Sequence, residues 1–195
     1  MEEIKGIKKD ARGEVLRKID SISEVLHLKK ERDVCNRLFE FANFMEAKVV
    51  LLYFSRKGEV NSKKIIEKAL ESGKIVVIPV VNSDKFNIHL MKITDPLKDM
   101  IINEDNIPQP DINKCKKVPI KSIDIAVIPG LVFDEKGGRI GVGDGYYDKL
   151  IPKLPATTRA VALALEEQIL PQVPMDTHDK YVDIIITGKR IIYKI

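Results

Sequence analysis

Residues 139–148 read Arg-Ile-Gly-Val-Gly-Asp-Gly-Tyr-Tyr-Asp. Three glycines alternate over five residues, with an arginine before them and two tyrosines and an aspartate after. Without Cβ atoms, successive backbone N–H groups can turn toward one point. Such a nest binds anions, phosphate above all. Arg139 can add a bidentate, charge-assisted contact. Asp148 is a hard oxygen ligand suited to Mg²⁺. The stretch reads as a nucleotide-phosphate site formed by Arg139, Ile140, Gly141, Val142, Gly143, Asp144, Gly145, Tyr146 and Tyr147. Its Gly-x-Gly-x-Gly spacing departs from the Gly-x-Gly-x-x-Gly of dinucleotide-binding folds, and it lies late in the chain.

Three further groups carry possible chemistry. Lys8 and Arg12 are four residues apart on a helical pattern, so both leave one face. Taken alone they are an ordinary solvated basic face, since Lys5 and Lys9 stand there too. Glu59 follows an apolar run ending at Phe54, where an acid can accept hydrogen bonds from an amino-heterocycle. The tail of the chain holds Val173-Pro174, Thr177-His178-Asp179 and Val182-Asp183. His178 reads as an exposed loop residue and receives no role.

The glycine string, with Pro129-Gly130 and Phe133-Asp134 before it, resembles the signature of the 5-formyltetrahydrofolate cyclo-ligase (methenyltetrahydrofolate synthetase) family, Arg-x-Gly-x-Gly-x-Gly-Tyr-Tyr-Asp. Asp144 stands where that family often has glycine. The resemblance runs from Lys8 to Asp183. It implies that Lys8 and Arg12 reach nucleotide phosphates, that Phe54, Glu59 and Tyr146 contact the folate, and that Asp148 and Asp179 hold Mg²⁺. Arg139 and Tyr146 are then the catalytic candidates. Leu165 replaces an aromatic residue of the family, which implies a pocket with less stacking surface. The implied reaction is ATP- and Mg²⁺-dependent closure of 5-formyltetrahydrofolate to 5,10-methenyltetrahydrofolate. Two alternatives are action on another formyl-pterin and a binding module without turnover.

The elements that must position these residues follow from periodicity. Ile4, Ile7, Ala11, Val15 and Ile19 predict an amphipathic helix over 4–19. Ser21 and Glu24 read as a capping box for a helix over 22–45 that turns Leu38, Phe41, Ala42 and Met45 inward. Apolar runs at 47–54, 74–80 and 123–128 predict buried strands, the second stopped near Pro79 and the third feeding the glycine loop. A helix capped at Asn61-Ser62 ends at Gly73. Residues 86–93 predict a more exposed strand, the proline-bearing 95–121 mostly loop with a short helix, and 146–154 a helix. Strands at 159–165 and 182–187 are followed by a hairpin turn at Gly188-Lys189. Alternating strands and helices predict an α/β domain, three-layer α/β/α with a mostly parallel sheet. The resemblance adds the sugar-phosphate isomerase/CoA-transferase-like fold.

With 195 residues the chain is long enough for one domain over 1–195 with a sizeable core. It has 44% hydrophobic and 32% charged residues, and 33 Lys and Arg against 29 Asp and Glu give a net charge of +4. That diffuse excess suits anionic small molecules rather than nucleic acid, which needs a clustered basic face. No apolar run approaches the ~20 residues of a membrane span, and the first residues lack a signal-peptide core. Cys35 and Cys115 form no metal spacing and favour a reducing, cytoplasmic setting. We expect a monomer or homodimer with small-molecule partners, ATP and a reduced formyl-folate, and no nucleic-acid or membrane partner.

Overall fold

The computed structural model describes residues 2–80, 88–103, 107–143 and 145–194. Asp144, within the glycine string, and the first residues of the strand expected over 86–93 lie outside them. The elements in chain order are α1 (Glu2–Asp20), α2 (Glu24–Glu40), α3 (Ala42–Glu46), β1 (Val49–Leu51), α4 (Lys63–Glu71), β2 (Ile75–Val80) and β3 (His89–Ile93). Then come β4 (Met100–Ile102), β5 (Pro108–Pro110), β6 (Lys116–Lys117), β7 (Ile125–Ile128), β8 (Val132–Asp134) and β9 (Arg139–Ile140). The chain ends with α5 (Tyr146–Leu150), β10 (Arg159–Leu163), β11 (Ile169–Leu170), β12 (Ile184–Ile186) and β13 (Ile191–Tyr193), with single 3₁₀ turns between.

The main sheet has the order β13-β12-β10-β7-β1-β2-β3-β6. Its five central strands pair in parallel. Strands β13, β3 and β6 add antiparallel edges. Alternate residues of each central strand serve opposite faces, as the pleat requires. Val50, Leu52, Val161, Leu163, Ile184 and Ile186 pack with Val34, Leu38, Phe44, Ile65 and Ile66 of α2, α3 and α4. Leu51, Ala126, Ala160, Ala162 and Ile185 face the other way, against Phe133, Leu150 and Leu154. Helix α1 packs separately: Ala11, Val15 and Ile19 sit on Leu131, Val132, Ile140 and Leu170. That surface is the small sheet β11-β8-β9. The mixed α/β architecture with a mostly parallel sheet agrees with the sequence expectation.

Several local expectations are corrected. The helix expected over 22–45 is two helices, because Phe41 is extended (φ −74°, ψ 119°) and buried. The break resets the helical phase, so Phe44 and Ala47 turn inward while Ala42 and Met45 are exposed. The Ser21–Glu24 capping box does not form; Ser21 Oγ instead donates to Lys18 O at the end of α1. Ile7 is exposed. The described part of the 95–121 segment is mostly loop, as expected, with the 3₁₀ turn Ile120–Ser122 at its end, but it also contributes the antiparallel pair β4–β5 and the edge strand β6. The helix over 146–154 is α5 plus a 3₁₀ turn.

Strand β2 includes Pro79 and ends one residue later at Val80, in keeping with the run expected over 74–80. Its pairing with β1 ends at Leu51–Val77, so the missing proline N–H removes no bond from that ladder. Finally, β7 does not feed the glycine loop directly. The β8–β9 hairpin intervenes, closed by Asp134, whose carboxylate accepts from Gly138 N (2.8 Å) and Val173 N (2.8 Å).

Candidate active site

The strand order fixes where a ligand can enter. The connection from β1 passes rightward to β2, whereas β7 passes leftward to β10. Ligands of open α/β sheets bind at such a reversal, beyond the carboxyl ends of the strands. A cavity of about 520 Å³ opens there. The exit of β1 gives Phe54, Arg56 and Glu59, the end of β2 gives Ile78 and Pro79, and the exit of β7 gives Pro129. Helix α1 closes one side with Ile4, Lys5, Lys8, Lys9 and Arg12, and the glycine loop and α5 close another.

Every described residue predicted as a site residue lines this one cavity: Lys8, Arg12, Phe54, Glu59, Arg139, Ile140, Gly141, Val142, Gly143, Gly145, Tyr146, Tyr147, Asp148 and Asp179. Leu165 does not; it is buried in the core beneath α2–α4, so no stacking surface of the cavity depends on it. His178 is exposed beside Asp176.

The charged groups are ordered in pairs. Lys8 Nζ is bonded to Asp179 Oδ2, and the same oxygen accepts Asp176 N at 2.5 Å. Arg139 is buried at 4% exposure; its Nη1 donates to Pro129 O (3.0 Å) and its Nη2 to Asp148 Oδ1 (2.8 Å). That aspartate oxygen also accepts Lys180 N at 2.9 Å. Arg12 Nε donates to Gly141 O at 2.8 Å, tying α1 to the glycine loop. Burial lowers the Arg12 pKa, while Asp179 opposes that shift. One oxygen of each carboxylate is thus engaged by the protein. No group of three or more metal-ligating side chains exists among the described residues.

In the glycine loop, Gly143 (φ 132°) and Gly145 (φ 63°) occupy conformations that side chains rarely adopt, with open space where a Cβ would stand. Gly145 opens α5 and sends Tyr146 and Tyr147 into the wall as an edge-to-face pair, ring centroids 5.2 Å apart. The Tyr146 hydroxyl is buried without a hydrogen-bond partner among the described residues. Burial raises its pKa, so it stays a neutral donor at neutral pH.

Glu59 is 8% exposed, and its Oε2 accepts Arg56 N at 2.8 Å. Burial raises its pKa, against the lowering effects of the Arg56 bond and of the Arg56 and Arg139 charges. A desolvated carboxylate on an apolar wall of Phe54, Ile78, Pro79, Ile107 and Pro108 suits a flat, partly polar heterocycle with N–H donors.

Sequence reasoning missed Ile4, Lys5, Lys9, Arg56, Ile78, Pro79, Ile107, Pro108, Pro129 and Asp176 as cavity residues. Lys5 and Lys9 were in view as the solvated remainder of the basic face. Their i, i+3, i+4 and i+7 relation to Lys8 and Arg12 was the available signal. The others face the cavity through tertiary packing alone.

The chain matches the model of the 5-formyltetrahydrofolate cyclo-ligase family over residues 4–188. A probable 5-formyltetrahydrofolate cyclo-ligase of Schizosaccharomyces pombe is 32% identical over 176 residues, 83% of this chain and 85% of that protein. The 5-formyltetrahydrofolate cyclo-ligase of Mus musculus is 26% identical, with 94% of each chain covered. A solved 5,10-methenyltetrahydrofolate synthetase of Aquifex aeolicus superposes with TM-score 0.82 at 28% identity, over 96% of this chain and 93% of its own. One from Mycoplasma pneumoniae has TM-score 0.72 at 21% identity, over 93% and 98%, and shows the same fold.

Proposed function

Because the chain belongs to the 5-formyltetrahydrofolate cyclo-ligase family, we propose that it closes 5-formyltetrahydrofolate to 5,10-methenyltetrahydrofolate at the expense of ATP, with Mg²⁺ arriving on the nucleotide. It is a ligase of one-carbon folate chemistry. The observation that carries the reading is convergence. Two cations of α1, the glycine loop, two carboxylates and a buried acid on an apolar wall meet in one cavity at the reversal of strand order.

The chemical problem is an N-formyl group, a poor electrophile whose oxygen is a poor leaving group. The formyl oxygen attacks the γ-phosphorus of ATP; a P–O bond forms and the β,γ-bridging P–O bond breaks, releasing ADP. N10 then attacks the activated formyl carbon. The C–O bond breaks, inorganic phosphate departs, N10 loses its proton to water, and the five-membered ring is closed. Such transfers need positioning and charge neutralisation more than acid–base chemistry.

The residues divide accordingly. Lys8 and Arg12 neutralise phosphate oxygens, and the N–H groups of the glycine loop orient them. Asp148 and Asp179 are a hard donor pair, too few to form an all-protein cage, and they suit a divalent ion already held by phosphates. Bound there, the ion would add charge neutralisation at the phosphates. Arg139 holds Asp148 in place and adds positive potential behind the loop. Glu59 accepts pterin N–H bonds, Phe54 lines its face, and Tyr146 supplies a neutral hydroxyl near the formyl end. The cavity is lined by small-molecule chemistry, and no helix among the described residues is long and apolar enough to cross a membrane.

The test is the absorbance of the methenyl product formed from 5-formyltetrahydrofolate with ATP and Mg²⁺. Product must require all three; no product, or ATP hydrolysis indifferent to the pterin, refutes the assignment.

A further inference from the structure

Gln168 lies outside the cavity wall, yet it is completely buried and spends its whole amide on backbone. Its Oε1 accepts Leu165 N at 2.8 Å, which fixes the amide's orientation. Its Nε2 faces three carbonyls: Leu131 O at 3.0 Å, Gly130 O at 3.3 Å and Gly58 O at 3.3 Å. Two of these belong to the segment leaving β7; the third belongs to the turn that carries Glu59. Gly58 and Gly130 are 72 residues apart in sequence, and one side chain spans them.

The two ends of the span are not equally secure. Leu131 N already donates to Ile140 O at 2.8 Å, so its segment is part of the small sheet's framework. The Glu59 turn has no strand to hold it. Its base is fastened by Ser55 N to Ser62 Oγ (3.0 Å) and Tyr53 Oη to Val60 O (3.0 Å). Its apex, Gly58, has φ 86° and lies so close to Leu131 and Leu16 that a Cβ would stand 2.5 and 2.8 Å from them. The apex is closed on itself by Glu59 N to Arg56 O (3.1 Å), and its positive φ favours glycine; the Gln168 bond to Gly58 O is what ties that closed turn to the Gly130–Leu131 exit.

We propose that Gln168 is a positioning residue for the folate half of the site, fixing the Gly58–Glu59 turn against the Gly130–Leu131 strand exit so that the Glu59 carboxylate meets the pterin. The inference rests on the cyclo-ligase reading above. It separates the two half-sites: Lys8, Arg12 and the glycine loop are held by other bonds, so nucleotide binding is independent of this amide.

The experiment uses the full chain with Gln168→Met, which keeps length and volume but has no donor, and Gln168→Glu. The Glu variant retains an acceptor for Leu165 N and, kept protonated by burial, one donor. Binding of 5-formyltetrahydrofolate and of MgATP is titrated separately, with KM for each and the melting temperature. We expect Gln168→Met to weaken the formyl-folate about tenfold, as loss of the buried hydrogen bond that holds the turn at Gly58 O implies. MgATP should stay within about twofold, and Gln168→Glu should restore part of the loss. Equal weakening of both ligands, or of neither, overturns the proposal. If Gln168→Met fails to fold, Gln168→Glu decides alone: unchanged formyl-folate affinity in it overturns the proposal. A wild-type chain that binds no formyl-folate would instead sink the functional reading.

Discussion

The Arg139–Asp148 pair allows structure and chemistry to be separated at one position. Their side chains are 3% and 20% exposed, and the bond is 2.8 Å long. Asp148→Ala leaves the Arg139 guanidinium buried with Pro129 O as its remaining acceptor among the described residues. Breaking a buried ion pair costs about 3–5 kcal/mol, and the partial exposure of Asp148 places this case near about 3 kcal/mol. For a chain of this size that lowers Tm by about 6–12 °C. Asp148→Asn has the same shape, and its amide oxygen can still accept from Arg139 and Lys180 N. It loses only the charge assistance, about 1 kcal/mol, or about 2–4 °C. If Asp148 also serves the metal on ATP, the Asn variant should nevertheless lose most turnover, because a neutral amide is a poor Mg²⁺ ligand. Thermal melts and methenyl absorbance read the two quantities on the same samples. An Asn variant that melts as low as the Ala variant refutes the stability argument. One that folds and turns over at the wild-type rate refutes the role of the carboxylate charge.

Glu59→Gln should weaken 5-formyltetrahydrofolate more than MgATP in parallel titrations; unchanged formyl-folate affinity removes Glu59 from the site. The same variant should change the pH dependence of stability. The folded Glu59 has its pKa raised above the ordinary 4.5, so its contribution is full below that ordinary value and is lost as pH rises through the raised one. The Tm of Glu59→Gln relative to wild type should therefore climb as pH rises from below the ordinary value through the raised one, and a flat difference contradicts the buried acid. Lys8→Met should weaken nucleotide about tenfold and reduce the salt dependence of binding, measured by titration at two ionic strengths. The thiols of Cys35 and Cys115 have pKa values raised chiefly by burial. Both should react slowly with a thiol reagent at neutral pH and quickly in denaturant; prompt reaction of the native chain contradicts that.

Much of the site was legible because its chemistry is encoded in residue types at short spacing. Arg139 to Asp148 is one continuous string, and Lys8 and Arg12 are one helical turn apart, so local geometry nearly suffices to specify them. The central strands were legible for a similar reason: a parallel strand buried on both faces must be continuously apolar, as in the runs around Leu51, Val77 and Val127. Boundaries were less legible. Nothing in the pattern of residues 22–45 marks Phe41 as extended, because the break is enforced by the packing of Phe41 and Phe44 beneath the sheet. The antiparallel pairing of Met100–Ile102 with Pro108–Pro110 was hidden by Pro108 and Pro110, which an isolated edge ribbon tolerates.

What the sequence determined by itself was the inventory of phosphate-binding glycines, cations and carboxylates, together with the layered α/β class. What only the tertiary structure decided was their partners. Lys8 meets Asp179 across 171 residues, and Gln168 joins Gly58 to Gly130. Pro79 and Ile107 become cavity walls, while Leu165 is withdrawn into the core. The physical reason is that contacts distant along the chain are selected by burial and by the need to pair every buried polar group. Those demands exist only after the sheet has brought the ends of β1 and β7 side by side.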